Sequence, residues 1–313
     1  MNNCLIIISD SCFYLKVSVF EFSGKNDIII KIINVVNKFI VLLESWKEGK
    51  MKVLIVGDVV GNPGRKTLYK FLEKRADSYD FIVVNGENSA GGFGITPKIA
   101  DEFFEKKIDV ITSGNHIWDK KDIYTYLEAS ERLLRPLNYP KGVVGKGYTV
   151  VKSKNGINVG VISAQGRVFM PPIDCPFVRI TDILDEMRKE CKIIIVDFHA
   201  EATSEKIALG KYLDGKVSLV YGTHTHIQTA DEKILLEGTG YISDVGMTGS
   251  DNGIIGMSAD AIIPKFLTAL PQRFEVCEGN ERSNGLSVEI DEETGECKNI
   301  ERINLSLQQI EIL

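Results

Sequence analysis

The sequence predicts an α/β domain whose chemistry sits at the carboxyl ends of its strands. Three observations carry this. From Met51 onward, short apolar runs alternate with helix-periodic segments. Five of the runs end directly in a side chain able to hold a metal. All four histidines of the chain, His116, His199, His224 and His226, fall at those ends, where open α/β sheets place their sites.

Residues 1–50 read differently and are taken as an N-terminal extension. Ile28 to Leu43 places Lys31, Asn34 and Lys38 at helical spacing, which permits an amphipathic helix, while its β-branched content equally permits a strand. No chemical motif is found there. Met51-Lys-Val-Leu-Ile-Val-Gly-Asp58 opens like a natural start, and Lys47-Glu48-Gly49 back-translates to a stretch resembling a bacterial ribosome-binding site. One expectation is that residues 1–50 are an upstream stretch outside the native protein, with 51–313 as the functional domain; a genuine extension packed on that domain is the alternative.

The five chemical strands follow in order. Lys52 to Val56 ends at Gly57-Asp58, and Phe81 to Val84 at Asn85-Gly86-Glu87-Asn88. Val110 to Thr112 ends at Ser113-Gly114-Asn115-His116, and Ile193 to Val196 at Asp197-Phe198-His199. Val217 to Tyr221 ends at Gly222-Thr223-His224-Thr225-His226. In extended backbone, residues i and i+2 share a side, so His224 and His226 are expected to aim at one point. Thr67 to Arg75 and Lys98 to Lys106 read as helices, the second with Pro97 in its first turn and Thr96 as N-cap. Ser89 to Gly94 is a glycine-rich turn beside the site; it lacks the Walker lysine of a phosphate cradle. Further β-like runs are Tyr148 to Val151, Val159 to Ser163, Gly240 to Ser243, Arg273 to Val276 and Gly285 to Ile290, with turn chemistry at Gly279-Asn280 and at Glu292 to Gly295. There is no internal repeat or linker, so one domain follows residue 50.

Composition is that of a globular chain, 44% hydrophobic and 26% charged. The net charge of −6 disfavours stable binding to long nucleic acid, but a small anion remains acceptable if metal supplies the positive charge. Six cysteines without a Cys-x-x-Cys spacing read as free thiols in a reducing cytoplasm. No membrane span and no signal peptide are read.

Together these residues resemble the calcineurin-like metallophosphoesterase signature, and within it the YmdB-like branch of bacterial cyclic-nucleotide phosphodiesterases. The matching stretches are Gly-Asp-Val-Val-Gly at 57–61, Asn-Gly-Glu-Asn at 85–88, Gly-Asn-His-x-Trp-Asp at 114–119 and Asp-Phe-His-Ala-Glu-Ala-Thr-Ser-Glu-Lys at 197–206. Gly-Thr-His-Thr-His-x-Gln-Thr-Ala-Asp at 222–231 and Asp244-Val-Gly-Met-Thr-Gly249 match as well. Most of the wider superfamily reads Asp-x-His in the first stretch and aspartate in the second. Here Asp58 is followed by Val59-Val60, and Glu87 is followed by Asn88, which is the branch's own pattern.

The resemblance implies a four-layer α/β/β/α sandwich with a dimetal site at the strand ends. It implies that Asp58, Glu87, Asn88 and His226 hold one ion, that Glu87 bridges, and that Asn115, His199 and His224 hold the other. Iron or manganese is expected, with hydroxide as nucleophile and His116 as proton donor. The implied substrate is a small cyclic nucleotide, 2′,3′-cyclic before 3′,5′-cyclic. The alternatives are a phosphomonoesterase or nuclease on the same site, or a slow regulatory sensor of cyclic nucleotides; a homo-oligomer is left open. Asp197 and Asp119 are candidates to hold histidine N–H groups. Asp109 reads as a surface residue. Arg135 and Arg167 read as structural ion pairs before phosphate grips, Thr203 to Lys206 as helix capping, and Trp118 and Phe169 as core packing before base stacking.

Overall fold

The computed structural model describes residues 49–313; the readings made for residues 1–48 lie outside the described residues. The strands assemble two sheets. Along the chain run β1 (Lys50–Val56), β2 (Asp58–Val59), α1 (Gly61–Arg75), β3 (Phe81–Asn85), α2 (Pro97–Glu105), β4 (Val110–Thr112) and α3 (Ile123–Ala129). Then come β5 (Tyr148–Lys152), β6 (Asn158–Gln165), α4 (Pro176–Glu190), β7 (Ile193–His199), α5 (Thr203–Leu213), β8 (Leu219–Thr223), β9 (Lys233–Ile234) and β10 (Gly240–Ile242). The chain closes with β11 (Met247–Ser250), α6 (Ala259–Thr268), β12 (Glu281–Asp291), β13 (Cys297–Ser306) and α7 (Leu307–Glu311).

The first sheet has the order β2-β11-β12-β1-β3-β4, with β13 on the other edge of β12; the second is β5-β6-β7-β8-β10-β9. In the first, β1, β3 and β4 are parallel, and in the second so are β6, β7, β8 and β10. Period-2 alternation builds the layers. Met51, Val53 and Ile55 of β1 face the second sheet and meet Val161, Ile195, Leu219 and Tyr221 in one buried cluster. Leu54 and Val56 face the other way, onto Leu68, Phe71 and Leu72 of α1 and Phe103 of α2. Beyond the second sheet, Ile194, Val196 and Val220 pack on Ile180 and Leu184 of α4 and Leu209 of α5. The result is helix, sheet, sheet, helix: the expected four-layer sandwich.

Local differences have physical causes. The first helix begins at Gly61, ahead of the expected Thr67, because Pro63 lies in its first turn, where a missing N–H breaks no bond. Thr96 caps α2 as expected, its Oγ1 3.4 Å from Ile99 N. Arg273 to Val276 forms no strand; only Val276 bridges to Met257. Among the described residues no helix is long and apolar enough to cross a membrane, and Cys175, Cys191, Cys277 and Cys297 are free thiols.

Candidate metal centre

The tips of five strands converge at one edge of the seam between the sheets. Asp58 follows β1 and is held in place by β2, which pairs with β11. Glu87 and Asn88 follow β3, and Asn115 and His116 open a 3₁₀ turn after β4. His199 ends β7, and His224 and His226 lie just past β8. Asp58, Glu87, Asn88, His199 and His226 are buried. The donor atoms of Glu87, His199 and His224 lie within 4.8 Å of one another. Asn115 Oδ1 is 3.2 Å from His199 Nε2, and His224 Nδ1 is 3.0 Å from the same nitrogen. On the other side, His226 Nε2 is 2.9 Å from the Asn88 amide and 3.9 Å from Asp58 Oδ1.

Close approach here depends on glycine. A Cβ on Gly114 would sit 2.0 Å from His199 Cδ2, so any side chain there would push the imidazole out of the cluster.

The histidines past β8 do not converge as first expected. The strand ends at Thr223, and His224 and His226 adopt left-handed backbone, at φ 97° and φ 66°. They therefore serve different sides of the cluster rather than one point. Such φ values are costly for non-glycine residues and persist only where neighbours hold them. Asp58 Oδ2 accepts the His224 N–H at 3.1 Å, and Thr225, between the two histidines, is held by Asp244. It accepts Thr225 N at 3.1 Å and Thr225 Oγ1 at 2.7 Å, and pairs with the buried Lys206 at 2.7 Å.

The donor set can be tested for its fit to cations. Asp58 Oδ1 and Asn88 Oδ1 are buried without a hydrogen-bond donor among the described residues, and Glu87 Oε1 has only the His199 imidazole, 3.0 Å away. Buried oxygens of this kind are rare unless something else pairs them. Each imidazole meanwhile commits one nitrogen outward and turns the other inward. His199 Nδ1 meets Thr223 Oγ1 at 2.9 Å, and that hydroxyl donates to Asp197 at 2.7 Å. His226 Nδ1 faces the Ile255 carbonyl at 3.0 Å, and His224 Nε2 faces Glu201 at 3.1 Å. This is the arrangement that fixes the tautomer of a metal-binding histidine. The residues fit a metal centre.

Electrostatics agree. Burial pushes the Asp58 carboxyl up, against His226 and His199, which pull it down. Burial would raise Glu87 too, but the facing His199 outweighs it and brings its pKa to about 2. Burial lowers His199, yet Glu87, then Asp58 and Asp197, hold it at about 9. Without a cation, this carboxylate and imidazole keep a proton between them, which an entering metal would displace. His224 stays neutral, lowered to about 3 by burial and then by the neighbouring His199.

His116 stands beside this set. Its backbone N–H donates to Glu87 Oε2 at 3.0 Å, and its Nδ1 meets Asp119 Oδ2 at 2.7 Å. Phe93, from the glycine-rich turn, packs edge-on against the ring at 4.9 Å. Asp197 reaches His199 only through Thr223.

Several residues outside the ligand cluster sit otherwise than the sequence predicts. Asp109 is half-buried and accepts the Ile82 N–H at 2.8 Å, because it opens β4 beside β3. Arg135 forms no ion pair among the described residues; its buried guanidinium donates to the carbonyls of Pro136, Leu137, Val143 and Val144. Arg167 makes none with them either: its guanidinium is exposed and meets Cys175 Sγ at 3.3 Å. Phe169 is 88% exposed at φ 61°, so it is not core; Trp118 does pack, against Tyr124 and Tyr139. No described side chain caps α5. Instead Glu205 accepts the Arg167 N–H at 3.0 Å and the Val168 N–H at 3.2 Å, while Lys206 makes the buried pair with Asp244. The roles of Glu201, Thr223 and the Ile255 carbonyl are not readable in the sequence, since only the fold brings them to the histidines.

A four-layer sandwich with carboxylate, amide and imidazole groups gathered at its strand tips defines a metallophosphoesterase-type fold. The model of the YmdB-like protein family matches residues 54–303, and the chain belongs to that family. It is 49% identical over 255 residues, covering 81% of this chain and 96% of the relative, to the 2′,3′-cyclic-nucleotide 2′-phosphodiesterase of Bacillus subtilis (strain 168). The crystal structure of a novel phosphatase from Mycoplasma pneumoniae is similar with TM-score 0.77 and 31% identity, covering 82% of this chain and 94% of that one. The crystal structure of a hypothetical protein from Thermus thermophilus matches with TM-score 0.77 and 39% identity, covering 82% and 99%. The family implies divalent metal ions, and the cluster around Glu87, His199 and His224 is suited to them.

Proposed function

We propose that this chain is a metal-dependent phosphodiesterase that opens small 2′,3′-cyclic nucleotides at the 2′ oxygen, leaving the 3′-monophosphate. The observation that carries the reading is the buried convergence of under-paired oxygens with three imidazoles, each holding one nitrogen inward. The similarity to a 2′,3′-cyclic-nucleotide 2′-phosphodiesterase supports the substrate class.

In this reading Asp58, Glu87, Asn88 and His226 would hold one cation, and Asn115, His199 and His224 a second, with Glu87 shared between them. Two carboxylates opposite two divalent ions leave a net positive charge, which suits an anionic diester; the neutral amides and imidazoles fill positions without cancelling it. Nitrogen and oxygen donors without thiolate fit iron, manganese or zinc, and the family resemblance favours iron or manganese. When bound, such a pair polarises the phosphate and lowers the pKa of water. The chain's own residues do the rest. Asp119 fixes the His116 ring through Nδ1, leaving Nε2 to pass a proton to the departing 2′ oxygen. Glu87 ties the His116 backbone to the donor set, so proton donor and cations keep one geometry. The domain from Met51 suffices for this, and the reaction takes place in the cytoplasm.

The test pairs elemental analysis of protein purified without added metal with a substrate panel: 2′,3′-cAMP, 3′,5′-cAMP, a monoester and RNA. The expected result is about two ions per chain and fastest turnover of 2′,3′-cAMP, abolished in Asp58→Ala. Preference for the monoester or RNA would move the assignment to a phosphatase or nuclease. Ligand binding without turnover would move it to a sensor. A chain begun at Met51 should show the same rates, and mass spectrometry of the native N-terminus reads where the protein starts.

A further inference from the structure

A cavity of about 270 Å³ opens beside His226. It lies where the core between the sheets gives out. On β12, Ile290, Val288 and Leu286 face that core. Asn284 and Arg282 continue the same face toward the site edge, and the Asn284 carbonyl accepts the Gly57 N–H at 3.1 Å, one residue before Asp58. Ile227, Met247 and Ile255 give the cavity apolar walls, and three amides, Gln228, Asn284 and Asn304, line it as well.

Two of those amides are fully engaged. Gln228 Nε2 donates to the carbonyls of Val245, Gly285 and Ile303. Its Oε1 takes Asn304 Nδ2 at 3.0 Å, and Asn304 Oδ1 takes the Arg282 guanidinium. Asn284 differs: it is 7% exposed, and its Oδ1 has no donor among the described residues. Buried amides are rarely left this way, so this side chain stands uncommitted beside the cavity.

We propose that this cavity is the nucleobase subsite, with the Asn284 side-chain amide hydrogen-bonding the edge of the base. The inference rests on the cyclic-nucleotide reading above and names what holds the rest of the substrate. His226 borders both the metal cluster and the cavity, so a molecule whose phosphate meets the cluster extends its other end here. A nucleobase matches the lining: flat apolar faces for Ile227, Met247 and Ile255, and a hydrogen-bonding edge for the uncommitted amide. A bare phosphomonoester would leave the cavity unfilled.

The test compares kcat/KM of the metal-loaded full chain on 2′,3′-cAMP with that on ribose 2′,3′-cyclic phosphate, which lacks the base. The ratio should favour 2′,3′-cAMP and fall about tenfold in Asn284→Ala, through KM. Ile227→Ser should lower it too; that residue is 61% exposed, so folding does not depend on it. A ratio unchanged in both variants overturns the subsite while leaving the phosphodiesterase standing. Equilibrium binding of 3′-AMP against ribose 3-phosphate reads the cavity without turnover. If nothing is hydrolysed but 3′-AMP binds about tenfold more weakly to Asn284→Ala, the reaction fails and the subsite stands. Loss of both sinks both.

Discussion

The two sheets bring different chemistry to the site. Tips of the first sheet supply only oxygen donors to the proposed ligand set: Asp58 after β1, Glu87 and Asn88 after β3, Asn115 after β4. Tips of the second supply only nitrogen: His199 from β7, then His224 and His226 after β8. Neither sheet holds a site by itself. The carboxylates of one would be unpaired buried charges without the imidazoles of the other, and the core cluster that docks the sheets also sets the distances between donors. The sheets also differ in how they secure their tips. The oxygen donors lie on strand β2 or in the segments that directly follow β3 and β4, whereas two of the histidines sit on strained backbone flanked by a buried ion pair.

The contrast can be broken in order of expected effect. Glu87→Ala removes the carboxylate that the proposed site shares between its two cations, so turnover should fall below detection and bound metal should drop, read by elemental analysis. His116→Ala takes a group from the first sheet's side that lies outside the proposed ligand set. It should retain metal yet lose about 10²–10⁴-fold in kcat; near-normal turnover would remove its role. On the nitrogen side, Lys206→Met leaves Asp244 without its cation, and urea unfolding should show a loss of about 3–5 kcal/mol. Thr223→Val deprives His199 Nδ1 of its oxygen and should weaken metal binding about 10–100-fold, with Thr223→Ser restoring it. If Val and Ser behave alike, the hydroxyl does not orient the ring.

The smallest effect lies away from the site. Asp109 is raised to about 6, mainly by burial. The folded chain therefore holds its proton more tightly than the unfolded chain, and stability conferred at low pH is lost as pH rises from the usual carboxylate range through about 6. Asp109→Asn should flatten that slope in unfolding curves at about pH 4 to 7. An unchanged slope would assign it to other groups.

Much of this is legible in the sequence because each chemical strand is an apolar run broken by one abrupt polar residue. Buried parallel strands must read that way, and the glycines at Gly57, Gly86 and Gly114 mark where backbone leaves the strand. The unread parts lack local signals. Residues of β13 are largely exposed or half-buried and mix charge with apolar positions, so no clean alternation shows. The left-handed histidines follow from Asp244, some twenty residues away in sequence, and nothing in His-Thr-His announces them. Lys206 reads as part of a helix start because lysine is almost never buried; its burial reflects a carboxylate that only the fold supplies. Glu201 and Thr223 stand within the recognised motifs, but which histidine each supports is a matter of geometry.

The order in which the strands are laid down has a consequence for synthesis. After β4 the chain leaves the first sheet, builds β5 through β10 elsewhere, and returns only with β11 and β12. The pairing of Val53 with Val288 joins positions from opposite ends of the domain. Every proposed donor through His226 has left the ribosome before β12 exists, so a growing chain carries those residues before β1 has its antiparallel neighbour. Capture of the ion should come last, as the C-terminal hairpin slides in beside β1, and a prematurely stopped chain should emerge metal-free.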